Sequence, residues 1–240
     1  MAEGRFAVVT PYYKEERATL ERCLASVRGQ TVKTDHILVA DGFPQDWIDA
    51  SGARHIKLDR AHGDYGNVAR GVGALLAVAE GYDGIAFLDA DNWLDKEHVA
   101  SCTAVGHTEP RPDLVIAKRR YMRLDGSVFP LIEEDGHVDT SCWWFQPGSY
   151  HLLHHWVTIP REMTSVGDRV FYWLVQASQL SCREVSRTTV NYTCLWENIY
   201  RFFGETPPPG AKPDIDLMPV LEWICALPDD KRGWVAKRCG

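Results

Sequence analysis

The stretch Asp83-Gly84-Ile85-Ala86-Phe87-Leu88-Asp89-Ala90-Asp91-Asn92 carries a short apolar segment straight into two acids one residue apart. It reads as a buried strand that delivers both carboxylates to its carboxyl-terminal end. Side chains alternate along an extended chain, so Asp89 and Asp91 share one side while Ala90 points away. Hard cations take oxygen ligands, and Mg²⁺ is commonly held by one or two carboxylates together with phosphate oxygens and water. The pair therefore suits Mn²⁺ or Mg²⁺ with a diphosphate. Turn chemistry alone also produces Asp-x-Asp after a strand. The apolar run before the acids, and Trp93-Leu94-Asp95 after them with Asp95 placed as the N-cap of a following helix, favour a ligand site.

Outward from this segment, strand and helix signals alternate. Phe6 to Thr10 is strand-like, and Pro11 is expected to interrupt it. Leu20, Leu24 and Val27 then fall on one helical face. His36 to Ala40 and His55 to Leu58 are further strands, closed by Asp41-Gly42 and Asp59. From Asn67 to Glu80, Val68, Val72, Leu75, Leu76 and Ala79 recur at helical spacing. Strand–helix–strand in this order predicts a mostly parallel sheet, where ligands bind beyond the carboxyl ends of the strands. Pro11, Tyr12, Asp41, Asp89 and Asp91 would converge there.

After Pro112, Leu114 to Ala117 is a strand and Leu124-Asp125-Gly126-Ser127 a hairpin turn. Arg169 to Ala177 reads as a buried helix, and Pro207-Pro208-Pro209-Gly210 as a stiff loop before the last helices. The expected organisation is one domain over 1–240, with a ligand-binding half to about residue 110 and an acceptor-side half after it.

A chain of 240 residues with 45% apolar content supplies a sizeable core. A net charge of −7 argues against a broad nucleic-acid surface. No signal core or long apolar run is present, and the seven cysteines form no Cys-x-x-Cys pair. A soluble, unprocessed, cytoplasmic protein with no transmembrane segment is the expectation. The tail over 231–238 mixes cations with Trp234, a pattern compatible with peripheral membrane contact as well as with a solvated helix face. His151, His154 and His155 read as a partly exposed cluster, with a third metal ligand left open.

Val8-Val9-Thr10-Pro11-Tyr12-Tyr13-Lys14-Glu15, Cys23 to Thr31, Ile37-Leu38-Val39-Ala40-Asp41-Gly42 and Ala86 to Asn92 together resemble four ordered motifs of the family 2 glycosyltransferases. That resemblance implies a GT-A fold: α/β, Rossmann-like, mostly parallel, with a smaller antiparallel acceptor-side portion. It implies an inverting, metal-dependent transfer from a nucleotide diphosphate sugar, uridine diphosphate sugars foremost, to a hydroxyl acceptor such as a saccharide or lipid-linked glycan. Pro11, Tyr12 and Glu15 would line the nucleotide pocket, Asp41 would meet the base, Asp89 the ribose or metal region, and Asp91 the metal. His62 to Gly73, with Asn67 and Arg70, is similar to the loop and helix beside the donor, although the family commonly has Asn where this chain has Gly71.

Gly167-Asp168-Arg169 is similar to the family's Glu-Asp segment and makes Asp168 the candidate base; Gly167 stands where the family has Glu. Asp168 also sits where an N-cap belongs. Asp139 is the alternative base or an acceptor ligand. His137, Trp143 and Trp144 are further acceptor-side candidates, with packing the competing role for the two indoles. Gly71 and Gly167 motivate a second reading, a catalytically inactive nucleotide-sugar-binding or scaffold protein. A phosphotransferase using Asp89 as nucleophile fits less well, because that class places its acids after the first strand.

Overall fold

A computed structural model describes residues 4–130 and 138–228. His137, Cys239 and the tail over 231–238 lie outside the described residues. The chain runs β1 (Phe6–Tyr12), α1 (Arg17–Arg28), β2 (Asp35–Ala40), β3 (Arg54–Lys57), α2 (Asn67–Ala79), β4 (Gly84–Phe87), β5 (Trp93–Leu94), α3 (His98–Gly106) and β6 (Leu114–Met122). It continues through β7 (Trp143–Phe145), two 3₁₀ segments (Pro147–Val157 and Arg161–Val166), α4 (Gly167–Ser178), β8 (Cys182–Thr193), α5 (Glu197–Phe202) and α6 (Met218–Ala226).

Among the described residues the strands form one sheet in the order β3-β2-β1-β4-β7-β6-β8-β5. β1 pairs parallel with β2 and β4, and β2 with β3; β7 runs antiparallel to β4 and β6, and β5 to β8. The expected parallel half and antiparallel portion are both present.

The sheet is covered on both faces because its strands alternate between two cores. Val9, Val39, Ile85, Phe87, Phe145 and Phe171 belong to one, under α2 and α4. Val8, Cys23, Ala86, Leu88, Val99 and Val115 belong to the other, with α1 and α3. Trp143 and Trp144, adjacent in β7, go one to each core at 0% and 1% exposure. Neither indole faces a ligand, which corrects their acceptor-side assignment.

Three local expectations are also corrected. Pro11 lies inside β1, not after it. Val9 accepts from Leu88 on the β4 side and Tyr12 from Asp41 on the β2 side, so Pro11 turns its missing N–H toward the β4 side, beyond the paired residues. Asp95 does not cap α3, which starts after Glu97; its carboxylate takes Asn191 Nδ2 at 2.9 Å and Arg120 Nη2 at 2.8 Å. And α2 buries not the Val68/Leu75 stripe but its small residues, Ala69, Gly73, Ala74 and Ala77, while Leu75 is exposed.

That small face lets the helix approach the sheet closely. A Cβ on Gly73 would stand 2.5 Å from Val9 Cγ1 and 2.9 Å from Val39 Cγ2, both fully buried. Gly73→Val is therefore expected to overpack this contact by about 2 kcal/mol and lower the melting temperature by roughly 4–8 °C in a thermal denaturation scan.

Candidate active site

The carboxyl ends of β1, β2 and β4 open into a pocket of about 340 Å³. Pro11, Tyr12, Glu15, Asp41, Asn67, Arg70, Asp89, Asp91, Asp139 and Asp168 all line it. Parallel strands end on the same side of a sheet, so the segments after β1, β2 and β4 meet there, joined by the start of α2, Asp139 and the start of α4.

Asp89 and Asp91 occupy the turn after β4, closed by Asn92 N–H to the Asp89 carbonyl at 2.9 Å. The turn is stitched to the far side of the site. Asn92 Nδ2 reaches Ser141 Oγ at 3.2 Å, Thr193 N–H reaches Asn92 Oδ1 at 2.9 Å, and Asp89 N–H reaches Ser141 Oγ at 3.2 Å. The Asp91 carbonyl accepts from Arg22 Nη2 at 2.7 Å and from the Thr193 hydroxyl. Its carboxylate accepts no hydrogen bond from another described residue. Burial, and then the neighbouring Asp89 charge, push that carboxyl up to about 7. Burial also raises Asp89, against the opposing guanidinium of Arg70.

Arg70 is itself buried. Nη2 donates to Asp89 Oδ1 at 2.7 Å and Nη1 to Asn67 Oδ1 at 3.1 Å, with the guanidinium 4.7 Å from the Trp156 ring centroid. Asn67 Nδ2 in turn donates to the Thr164 carbonyl at 3.0 Å. Arg70 thus acts as a positioning residue for Asp89. Gly71 and Gly167 have packing reasons of their own. A Cβ on Gly71 would meet Val157 at 2.6 Å, and one on Gly167 would meet Asn67 Oδ1 at 2.8 Å. Gly167 therefore lets the start of α4 close onto the start of α2.

The residues expected on the nucleotide side are held by their own networks. Tyr12 is buried, with its hydroxyl 2.6 Å from His55 Nε2 and accepting from Gln45 N–H at 3.0 Å. Asp41 accepts from His62 N–H at 3.0 Å, His62 Nδ1 at 2.7 Å and Gly63 N–H at 3.3 Å, so it anchors the loop that forms the pocket wall. Glu15 accepts from Tyr13 N–H at 2.6 Å. Asp64 caps α2 through Val68 N–H at 2.9 Å, and Gly66, at φ 79°, turns the chain against Pro11. Between them Tyr65, at φ 60°, projects at the rim.

The two candidate bases differ. Asp139 is buried, its Oδ1 taken by Ser141 N–H at 2.9 Å and its Oδ2 by Arg119 Nη1 at 2.8 Å. Asp168 lies in the first turn of α4, one residue inside the helix, and accepts Arg169 N–H at 2.8 Å. Val166 holds the N-cap position instead. Both carboxylates also line an adjoining cleft with Tyr192 and Trp196.

Sequence reasoning missed the site's other cations. Lys212 enters the pocket and draws the Asp91 carboxyl downward, and Arg119 pairs with Asp139. Lys212 follows the Pro-rich loop, where its isolated charge was the only signal. The histidines at 151, 154 and 155 sit on a 3₁₀ segment, with the His154 and His155 rings 4.0 Å apart. Among the described residues no three His, Cys, Asp or Glu side chains gather into a metal cage, and no helix is long and apolar enough to cross a membrane. The donors at hand for a cation are the hard carboxylate oxygens of Asp91 and Asp89. That set fits a divalent ion completed by phosphate oxygens and water.

The model of the family described as Glycosyl transferase family 2 matches residues 7–159, more than half of the chain. The protein belongs to glycosyltransferase family 2. Its fold is similar to that of crystallised S. aureus TarS 1-349, with a TM-score of 0.61 and 18% identity over 82% of this chain and 62% of that one. The same protein in complex with UDP gives 0.60 and 16% over the same shares. Its complex with UDP-GlcNAc gives 0.61 and 17%, over 79% of this chain and 58% of that one. The chain thus spans about three fifths of those structures' length. These are likenesses of GT-A fold. No curated protein matches the sequence.

Proposed function

We propose that the protein transfers a sugar, with inversion, from a uridine diphosphate sugar to a hydroxyl acceptor. The observation that carries the reading is the junction of two cavities: Asp89 and Asp91 on the donor side, Asp168 shared between that pocket and the adjoining cleft. Further support comes from family membership and from the UDP and UDP-GlcNAc complexes of the similar S. aureus protein.

The acceptor oxygen attacks the anomeric carbon as the bond from that carbon to the diphosphate oxygen breaks. Asp168 takes the hydroxyl proton, and the electron pair leaves with the diphosphate. Asp91, with Asp89 beside it, would hold Mn²⁺ or Mg²⁺, and the bound ion would neutralise charge on the leaving diphosphate. Lys212 adds a second positive charge at the pocket. Arg70 orients Asp89 and opposes the effect of its burial, and Asp41 keeps the 62–63 loop against the nucleotide side.

A ligand that binds only the folded state stabilises it by mass action, by about 2.7 kcal/mol at a hundredfold excess over Kd. UDP with Mn²⁺ is therefore expected to raise the melting temperature by several degrees, UDP or Mn²⁺ alone by much less. Incubation with UDP-GlcNAc and a panel of glycosides should release UDP together with a glycosylated product. Absence of any nucleotide-dependent shift would remove the reading; a shift without turnover across the donor and acceptor panels would favour the inactive, donor-binding alternative.

A further inference from the structure

Tyr12 ends β1 at the pocket, but its side chain runs sideways under the sheet. It spans β2 to reach β3, where its ring lies 5.8 Å from that of His55 and inclined by 30°. The hydroxyl accepts from Gln45 N–H at 3.0 Å, so its own proton goes to His55 Nε2 at 2.6 Å. The other ring nitrogen, Nδ1, then carries the imidazole proton and donates to Asp49 Oδ1 at 2.6 Å. Asp49 Oδ2 accepts from Lys57 Nζ at 2.7 Å.

This relay closes on itself through the chain. Gln45 immediately precedes the 3₁₀ segment Asp46–Ala50 that carries Asp49, and Ile48 pins that segment in the core at 0% exposure. The His55 side chain is 3% exposed and that of Asp49 51%, so a buried link is anchored by a pair at the surface. Gln45, Asp49, His55 and Lys57 all lie outside the four stretches that resemble the family.

Where the relay sits decides what it holds. The last rung between β1 and β2 is Asp41 N–H to the Tyr12 carbonyl at 2.8 Å. Past that rung the 13–15 and 42–45 loops share no main-chain hydrogen bond, although Tyr13, Glu15 and Asp41 all line the pocket. Side chains join them instead. Gln45 receives the Tyr12 contact on its amide and sends Nε2 to the Glu15 carbonyl at 2.8 Å, while Trp47 Nε1 fixes Gln45 Oε1 at 2.8 Å. The Tyr13 and Phe43 rings meet edge to face at 4.7 Å further out.

Resting on the transferase reading, we infer that His55, backed by Asp49, is a positioning residue for the donor site. By holding the Tyr12 hydroxyl it fixes Gln45, and through Gln45 it sets the spacing of the two loops that wall the pocket.

The test uses the full chain carrying Tyr12→Phe, His55→Phe, both together, and His55→Gln, whose amide oxygen can accept from the hydroxyl while its N–H faces Asp49. Without nucleotide, hydrogen exchange over 41–47 should quicken about tenfold in each single phenylalanine variant while exchange over β6 keeps the parent rate. With Mn²⁺, well below the melting temperature, UDP affinity should fall about tenfold in either variant and no further in the double variant, and His55→Gln should stay within about threefold of the parent. Unchanged UDP affinity in His55→Phe, effects that add in the double variant, or exchange that quickens in β6 as much as over 41–47 would overturn the inference. A parent protein that does not bind UDP strikes the transferase reading instead, and the exchange arm, which needs no nucleotide, still decides whether His55 holds the loop.

Discussion

Replacing Asp91 with asparagine is expected to weaken Mn²⁺-dependent UDP binding by at least about 100-fold, because even the outer partners of a metal ligand are worth roughly 10–100-fold. The turn should survive, since Arg22 and Thr193 hold the Asp91 carbonyl and not its carboxylate. The same variant reports on the protonation of the site. Burial and Asp89 raise the Asp91 carboxyl from 3.8 to about 7 in the folded protein. Between those values the folded state retains a proton that the unfolded state has lost. This contribution to stability is complete below about pH 4 and disappears as pH rises through about 7. Asp91→Asn removes it. The melting temperature of the metal-free variant, taken relative to that of the metal-free parent, should therefore climb from pH 4 to pH 7 and level off above. Burial lowers His36 to about 3 and His98 to about 4, but both are present in each protein and cancel in the difference. Protons compete with the metal for the same oxygens, so Mn²⁺-dependent affinity should also fall below pH 7. A pH-independent difference in melting temperature would show that Asp91 is not a buried, reluctant anion.

The acids of this site were legible because topology did the gathering. Strand–helix–strand repeats imply parallel strands, parallel strands end together, and the residues after β1, β2 and β4 are then neighbours whatever their separation in sequence. Nothing comparable announced the cations. Arg22, Arg119 and Lys212 arrive from α1, β6 and a loop after α5, and no local pattern distinguishes them from solvated charges. β8 was likewise invisible: its twelve residues alternate weakly, and it pairs parallel with β6 through register shifts after a crossover of some sixty residues. In α2 the hydrophobic stripe misled because closeness, not hydrophobicity, selects the buried face. Gly73 carries no side chain, yet it is what fits against Val9 and Val39, and Ala77 lies buried in the same core. Trp143 and Trp144 show the complementary case. Two adjacent large aromatics in a sheet buried on both faces have no solvent side to choose, and alternation sends one into each core.

Asp168→Asn should slow transfer by roughly 10²–10⁴-fold, the usual worth of a positioned general base, while leaving UDP binding within twofold. The competing structural role predicts something else. An acid in the first turn of a helix contributes about 0.3–1 kcal/mol through the helix dipole, so a purely structural Asp168 would cost only a few degrees of melting temperature and no rate. Asp139→Asn separates the two carboxylates further. Its partner Arg119 is 10% exposed, and breaking a buried ion pair of this kind costs up to about 3–5 kcal/mol. That variant should lose stability and rate together, whereas Asp168→Asn should lose chiefly rate. The physical reason for the lost stability is the clamp on Asp139. Both Asp139 oxygens are committed, one to Arg119 and one to the Ser141 amide, so the carboxylate is part of the packing as well as of the pocket. Single-turnover transfer rates beside thermal denaturation for the two variants decide the assignment, and Asp168→Asn turning over at the parent rate would move the base elsewhere.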